Sequence, residues 1–143
     1  MTRNTVIATL VCLVFGTFST NLALASKHED ASSTESPNGP KLENLLKTEL
    51  DLFEGGEVIV SRVTIPPHTS LPKHWHPGEE FAYILEGSCF LWQEGEEEIH
   101  IEAGEVLKVP FKKVHTAVTR DDGVTLLVFR VHEAGKPERV LVE

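Results

Sequence analysis

The chain has 143 residues, 41% of them hydrophobic, enough to bury one modest core and hardly two, so a single folded domain is expected. Its formal net charge of −9, with no tract rich in Lys or Arg, argues against DNA, RNA or an anionic membrane surface as a partner. The acidity is that of a soluble surface.

The first 25 residues differ from the rest. Arg3 carries their only charge, Val6 to Phe18 is largely apolar, and Ala23-Leu24-Ala25 is a small-x-small cleavage site. This is the pattern of a secretory signal peptide cleaved after Ala25. The apolar run is shorter than the roughly 20 residues that cross a bilayer, and Ser19-Thr20-Asn21 interrupts it, so no stable membrane anchor is expected after cleavage. Removing Arg3 leaves 12 basic against 22 acidic residues, a net charge of −10. Cys12 lies inside the signal, away from the cleavage point, which excludes a lipid-bearing first residue. Cys89 alone survives, so an intrachain disulfide is excluded. The expected address is the periplasm, or the medium if export continues outward, and no twin-arginine pair calls for export in the folded state.

Residues 26–40 are rich in Ser, Glu, Asp, Asn and Pro and nearly free of large apolar side chains. Such a segment cannot offset its ordering entropy by burial and reads as a disordered tether. Lys41 to Lys47 carries a brief helical pattern in Leu42, Leu45 and Leu46, too short to stand alone. The folded domain is expected over 41–143.

From Leu50 onward the pattern is all-β. Strands are predicted at 47–53, 57–65, 80–86, 88–93, 97–101, 105–109, 114–119 and 124–132, separated by Gly and Glu-Gly turns. Turns are placed at Leu85-Glu86-Gly87-Ser88, Gln93-Glu94-Gly95-Glu96 and Ala103-Gly104-Glu105, with Arg120-Asp121-Asp122-Gly123 closing the last hairpin. This strand density implies a sandwich or barrel, and no internal repeat divides it.

The stretch that carries chemistry is His74-Trp75-His76-Pro77-Gly78-Glu79-Glu80. In an extended chain residues two apart share a face, so His74 and His76 converge while Trp75 points away. Pro77-Gly78 turns the chain and lets Glu80 return toward the same point. His115, beyond Pro110 and a Lys-rich turn, offers a third imidazole. Three nitrogens and one carboxylate oxygen suit one divalent ion, Fe(II), Mn(II), Ni(II), Cu(II) or Zn(II), with coordination positions left for water or substrate. Spacing does not choose among these metals.

At these residues the sequence resembles the cupin superfamily, whose motifs run G-x5-H-x-H-x3-4-E-x6-G and G-x5-P-x-G-x2-H-x3-N. His74, His76, Glu80 and Gly87 fall at the spacings of the first motif, with His68 where its first glycine is usual. Gly104, Pro110 and His115 fit the second, with Lys112 in place of its glycine and Thr119 in place of its asparagine. The resemblance covers roughly Val58 to Val131. It implies a double-stranded β-helix, a jelly-roll barrel, with the metal in its wider mouth and His74, His76, Glu80 and His115 as ligands. The glycine positions matter because glycine serves where a positive φ is needed. A homodimer is one outcome the resemblance implies, since exposed barrel edges are often paired.

The remaining candidates have plainer readings. His28, His100 and His132 read as surface or packing residues, and His68 as a turn residue or an orienting partner of a ligand. Tyr83, Phe90, Trp92 and Phe129 are candidates for a cavity lining or simply for the core. Cys89 reads as a buried small hydrophobe. Lys108, Lys112 and Lys113 are solvated surface, or attract an anion to the mouth. A divalent ion with one carboxylate ligand keeps about one residual positive charge, which favours small anionic or hydroxylated molecules. The expected function is therefore an enzyme of dioxygenase or Lewis-acid lyase or isomerase type, and the alternative is a non-catalytic module that binds or senses a small molecule through the metal.

Overall fold

The structure, a computed structural model, describes residues 38–143. The signal peptide expected at 1–25 and the expected tether as far as residue 37 lie outside the described residues.

The described chain is all-β, with strands β1 (Lys41–Glu49), β2 (Gly56–Ile65), β3 (His74–Trp75), β4 (Gly78–Gln93), β5 (Ile99–Glu102), β6 (Val106–Val109), β7 (His115–Val118), β8 (Val124–Glu133) and β9 (Val140–Leu141). Every pairing is antiparallel. One sheet runs β1-β2-β8-β4-β6 and the other β9-β3-β7-β4-β5, so β4 belongs to both. This is the curled, double-sheeted architecture of a jelly roll.

The shared strand corrects the sequence reading. Residues 80–86 and 88–93 are halves of one strand, and Gly87 is the point at which it passes from the first sheet to the second. Its φ is +74°, and a Cβ there would lie 1.9 Å from the carbonyl oxygen of Gly123, so only glycine lets the two segments meet. The turn at 103–105 lies against the same bend, through Ala103 N–H to Gly87 O at 3.1 Å and Gly104 N–H to Ile84 O at 2.9 Å. Gln93 to Glu96 is a turn as expected, with Glu96 N–H donating to Gln93 O at 3.0 Å. Arg120 to Gly123 does not close a hairpin. It carries the chain from β7 in one sheet to β8 in the other.

Lys41–Glu49 is a strand rather than a helical turn, laid along the full length of β2. A β-bulge between Asn44 and Leu46 inserts one residue and places Leu42, Asn44 and Lys47 opposite Val63, Ser61 and Ile59. Pairing with β2 overrides the helical pattern of Leu42, Leu45 and Leu46, and all three leucines are at least 40% exposed.

Apolar residues from both sheets, among them Ile65, Ile84, Cys89 and Val124, fill the end of the barrel near Gly87. Toward the other end the inward positions of β8 change from Leu126 and Val128 to Arg130 and His132, all buried. The core therefore closes one end, and polar chemistry is collected at the other.

Where the motif glycines are replaced, the backbone keeps the glycine conformation. His68 has φ +53° and Lys112 φ +57°. A left-handed residue with a Cβ costs roughly 1–2 kcal/mol, against the ~0.5–1 kcal/mol of extra unfolded entropy that glycine brings. Lys112 is exposed. Lys112→Gly is thus expected to stabilise the protein by about 0.5–1 kcal/mol, read as a higher urea midpoint; a lower midpoint would mean that the ammonium over Trp75 and Phe111 outweighs the strain.

Candidate metal centre

β3 and β7 are antiparallel neighbours, and their register sets His74 directly opposite His115. His76 follows two residues after His74 on the same side, with both imidazoles buried and Trp75 between them less so. One ring nitrogen from each of His74, His76 and His115 lies within 4.8 Å of the other two. Glu80 enters from β4, with Oε2 2.9 Å from His76 Nε2 and Oε1 3.8 Å from His115 Nε2. The four residues singled out in the sequence therefore come together. Gly78 makes this return possible, because a Cβ there would lie 2.1 Å from His132 Cβ and 2.2 Å from Val131 O.

The protein fixes the tautomer of all three imidazoles. His74 Nδ1 donates to Pro72 O at 2.8 Å, His115 Nδ1 to Lys113 O at 2.9 Å and His76 Nδ1 to Glu138 O at 2.5 Å. A neutral imidazole that donates from Nδ1 carries its lone pair on Nε2, the nitrogen turned to the shared space. His76 Nε2 is buried and makes no hydrogen bond, although the Glu80 carboxylate is adjacent. Two electron-rich atoms at that separation call for a positive centre beside them. The donor set thus fits a divalent metal, with backbone carbonyls orienting each ligand from behind.

Electrostatics agree. Burial first, then the neighbouring charge of His115, pushes His74 down to about 4. His115 is also below its ordinary value, burial outweighing the opposing pull of Glu80. Burial would raise Glu80, but the adjacent His76, then His115 and Arg130, hold it below the usual carboxylate range. Burial thus disfavours a proton on His74 and His115 while Glu80 is held ionised, the protonation state a metal requires of those three groups. For His74 the folded value lies below the unfolded value of 6.5, so its contribution to stability is full above pH 6.5 and is lost as the pH falls toward 4. The metal-stripped protein is expected to show a falling thermal midpoint across that window, with a shallower slope in His74→Gln; a flat profile in the wild type would contradict it.

The site opens into a cavity of about 320 Å³ lined by His74, His76, Glu80, His115 and mostly aliphatic side chains. None of Tyr83, Phe90, Trp92 and Phe129 lines it. Tyr83 and Phe129 are on the outer face of the barrel, and Phe90 stacks on His100 with centroids 4.6 Å apart. Gly39 and Pro40, read as the end of the tether, instead form part of the cavity wall. Cys89 is buried at the wall, and burial raises its thiol to about 11, which leaves it protonated and inert at neutral pH. Lys108 and Lys113 pair with Glu79 and Glu96 and do not line the cavity. His132 is a packing residue, its Nε2 buried 3.6 Å from Glu57 Oε1.

Two residues beside the site are absent from the motifs. Arg130, on β8, is 2% exposed and stands directly opposite Glu80 in the ladder. Its Nη1 donates to Glu138 Oε2 at 3.2 Å and its Nη2 to Ser61 Oγ at 2.5 Å. Ser61 Oγ donates to Asn44 Oδ1 at 2.6 Å, and Asn44 Nδ2 donates to Glu138 Oε1 at 2.9 Å. The four side chains close a ring that ties β1, β2 and β8 to the C-terminal segment. Glu138 is also the residue whose carbonyl orients His76. The alternation of β8, with Arg130 between inward Val128 and His132, is the signal that could have found the arginine.

Residues 61–131 match the Cupin domain family. No curated protein matches the chain. Among solved structures it is similar to the DMSP lyase DddQ from Ruegeria pomeroyi DSS-3, with 26% identity over 59% of this chain and 43% of that one and a TM-score of 0.55. The chain thus spans under half the length of that lyase. It is also similar to an RmlC-like cupin family protein with a double-stranded β-helix fold from Methanocaldococcus jannaschii, with 18% identity over 71% of this chain and 88% of that one and a TM-score of 0.57. A cupin-like protein from Thermotoga maritima MSB8 gives 17% identity over 76% and 82% and a TM-score of 0.58.

Proposed function

We propose, from the match of residues 61–131 to the Cupin domain family, that the chain is a mononuclear metalloenzyme in which His74, His76, His115 and Glu80 hold one divalent ion and act on a small anionic or hydroxylated molecule. The observation that carries this reading is the set of three Nδ1–H groups anchored on backbone carbonyls, which commits three Nε2 lone pairs to one buried space. Bound there, a metal would supply Lewis acidity for lyase or isomerase chemistry, or an O2-binding centre if it is iron. The chain's own residues exclude water with an aliphatic wall and hold an ionised carboxylate at Glu80. The similarity to a DMSP lyase favours the lyase branch.

A non-catalytic binding module is the second reading, and one observation favours it. Among the described residues lining the cavity, the titratable groups besides the proposed ligands are the protonated Cys89 thiol and cationic side chains, so none is a ready general base. Elimination and O2-uptake assays on iron- and zinc-loaded protein separate the two. Turnover that disappears in His74→Ala supports the enzyme; metal-dependent ligand binding with no turnover supports the module.

We propose further that the protein is exported and cleaved after Ala25, which N-terminal sequencing of the mature form would show as a chain beginning at Ser26. A homodimer is supported by the exposed apolar outer face of the first sheet, where Tyr83, Leu85, Val106 and Phe129 are each at least 40% exposed.

A further inference from the structure

Part of the cavity wall is held more lightly than the rest. Gly39, Pro40, Lys41 and Leu42 line the cavity, and the last two begin β1. β1 is an edge strand: among the described residues β2 alone pairs with it, and every one of its residues is exposed. A strand that buries so little is held by its ladder and a few side-chain ties. Such an element opens locally while the core stays folded.

The bulge divides β1 into halves with different anchorage. Residues 46–49 run into the connection to β2, which is closed by Leu50 N–H donating to Gly56 O at 2.9 Å, and Lys47 Nζ lies 3.3 Å from the buried Glu57 carboxylate. Residues 41–44 are at the far end of this hairpin. Besides the ladder from Lys41↔Thr64 to Asn44↔Ser61, their ties are Glu43 with Arg62 at 3.6 Å, both exposed, and Asn44 with Ser61 at 2.6 Å and Glu138 at 2.9 Å. An exposed ion pair contributes little, so Asn44 is the main side-chain lock. Leu45, between the halves, has no partner on β2, and its dihedrals can change without breaking a cross-strand pair.

We propose that residues 39–44 form a gate in the cavity wall, hinged at Leu45 and latched by Asn44, which lifts from β2 as a unit while residues 46–49 stay in the sheet. Lifting takes Lys41 and Leu42 out of the wall, widens the entrance and uncovers Val63, which faces Leu42 across the ladder and also lines the cavity. It also deprives the Glu138 side chain of one partner, and the Glu138 carbonyl orients His76, so the gate and the site are physically joined. A ligand seated against Leu42 binds only the closed form and shifts the population toward it. The gate follows from the anchorage of the strand and does not depend on whether the site holds metal.

The test is amide hydrogen exchange followed residue by residue by NMR, on metal-free protein purified after expression of the complete chain. In the wild type the amides of residues 41–44 that bond to β2 are expected to exchange at least roughly tenfold faster than those of residues 46–49. Asn44→Ala is expected to accelerate the first group by roughly a further tenfold and to leave the second unchanged. Modification of Val63→Cys by a methanethiosulfonate reagent, read on the peptide that carries residue 63, is expected to rise by the same factor when Asn44→Ala is added. Equal exchange in the two halves, uniform acceleration along the whole strand, or labelling of residue 63 that ignores Asn44→Ala would each overturn the gate. Should Asn44→Ala fail to fold, the ratio between the two halves in the wild type decides alone.

Discussion

His76→Ala is expected to leave a folded β-barrel that has lost stoichiometric metal. The imidazole is buried beside Glu80, and its removal deletes one of three converging lone pairs without touching the apolar core near Gly87. Replacing a group that merely orients a ligand costs roughly 10–100-fold in metal affinity, so loss of the ligand itself should exceed about 100-fold. The far-ultraviolet circular dichroism should stay that of the wild type. Retention of a full equivalent of metal, competed by chelator no more easily than in the wild type, would remove His76 from the site.

The second large effect is expected at Glu138, far from the motifs. Glu138→Ala opens the ring formed with Arg130, Ser61 and Asn44, and strands a guanidinium that is 2% exposed. Removing one partner of a buried ion pair costs about 3–5 kcal/mol, because the remaining charge keeps its desolvation penalty. For a domain of this size 1 kcal/mol corresponds to roughly 4–8 °C, so the thermal midpoint should fall by at least about 10 °C. Arg130→Met in the Glu138→Ala background should recover much of that loss, since the stranded charge is gone. A single-variant shift under about 2 °C, or no recovery in the double variant, would show that the ring carries little energy. The same variant loosens the segment whose carbonyl orients His76, so a weaker metal affinity should accompany it.

How far the sequence reveals this molecule depends on the range of the interactions. Period-two alternation identifies β2 and β8, and Gly95 and Gly104 mark turns because local chemistry decides them. The convergence of His74 and His76 is likewise local. The replaced glycines at His68 and Lys112 signal left-handed backbone through the spacing around them, and both adopt it. β1 is different: Leu42, Leu45 and Leu46 are spaced as on a helix, and only pairing with β2 reveals the strand. At Gly87 a glycine that resembles a turn is a bend inside one long strand, because both halves find partners in different sheets. The ring through Asn44 and Glu138 joins residues 94 positions apart, and nothing in either neighbourhood announces it.

The most direct measurement is the metal content of the protein purified without chelator and then reconstituted under anaerobic conditions with Fe(II), Mn(II), Ni(II), Cu(II) and Zn(II) in turn. The arrangement of His74, His76, His115 and Glu80 predicts one equivalent of a divalent ion per chain, lost in Glu80→Ala or held far more weakly there. No metal from any of the five, in a protein whose circular dichroism shows the barrel intact, would contradict the central claim.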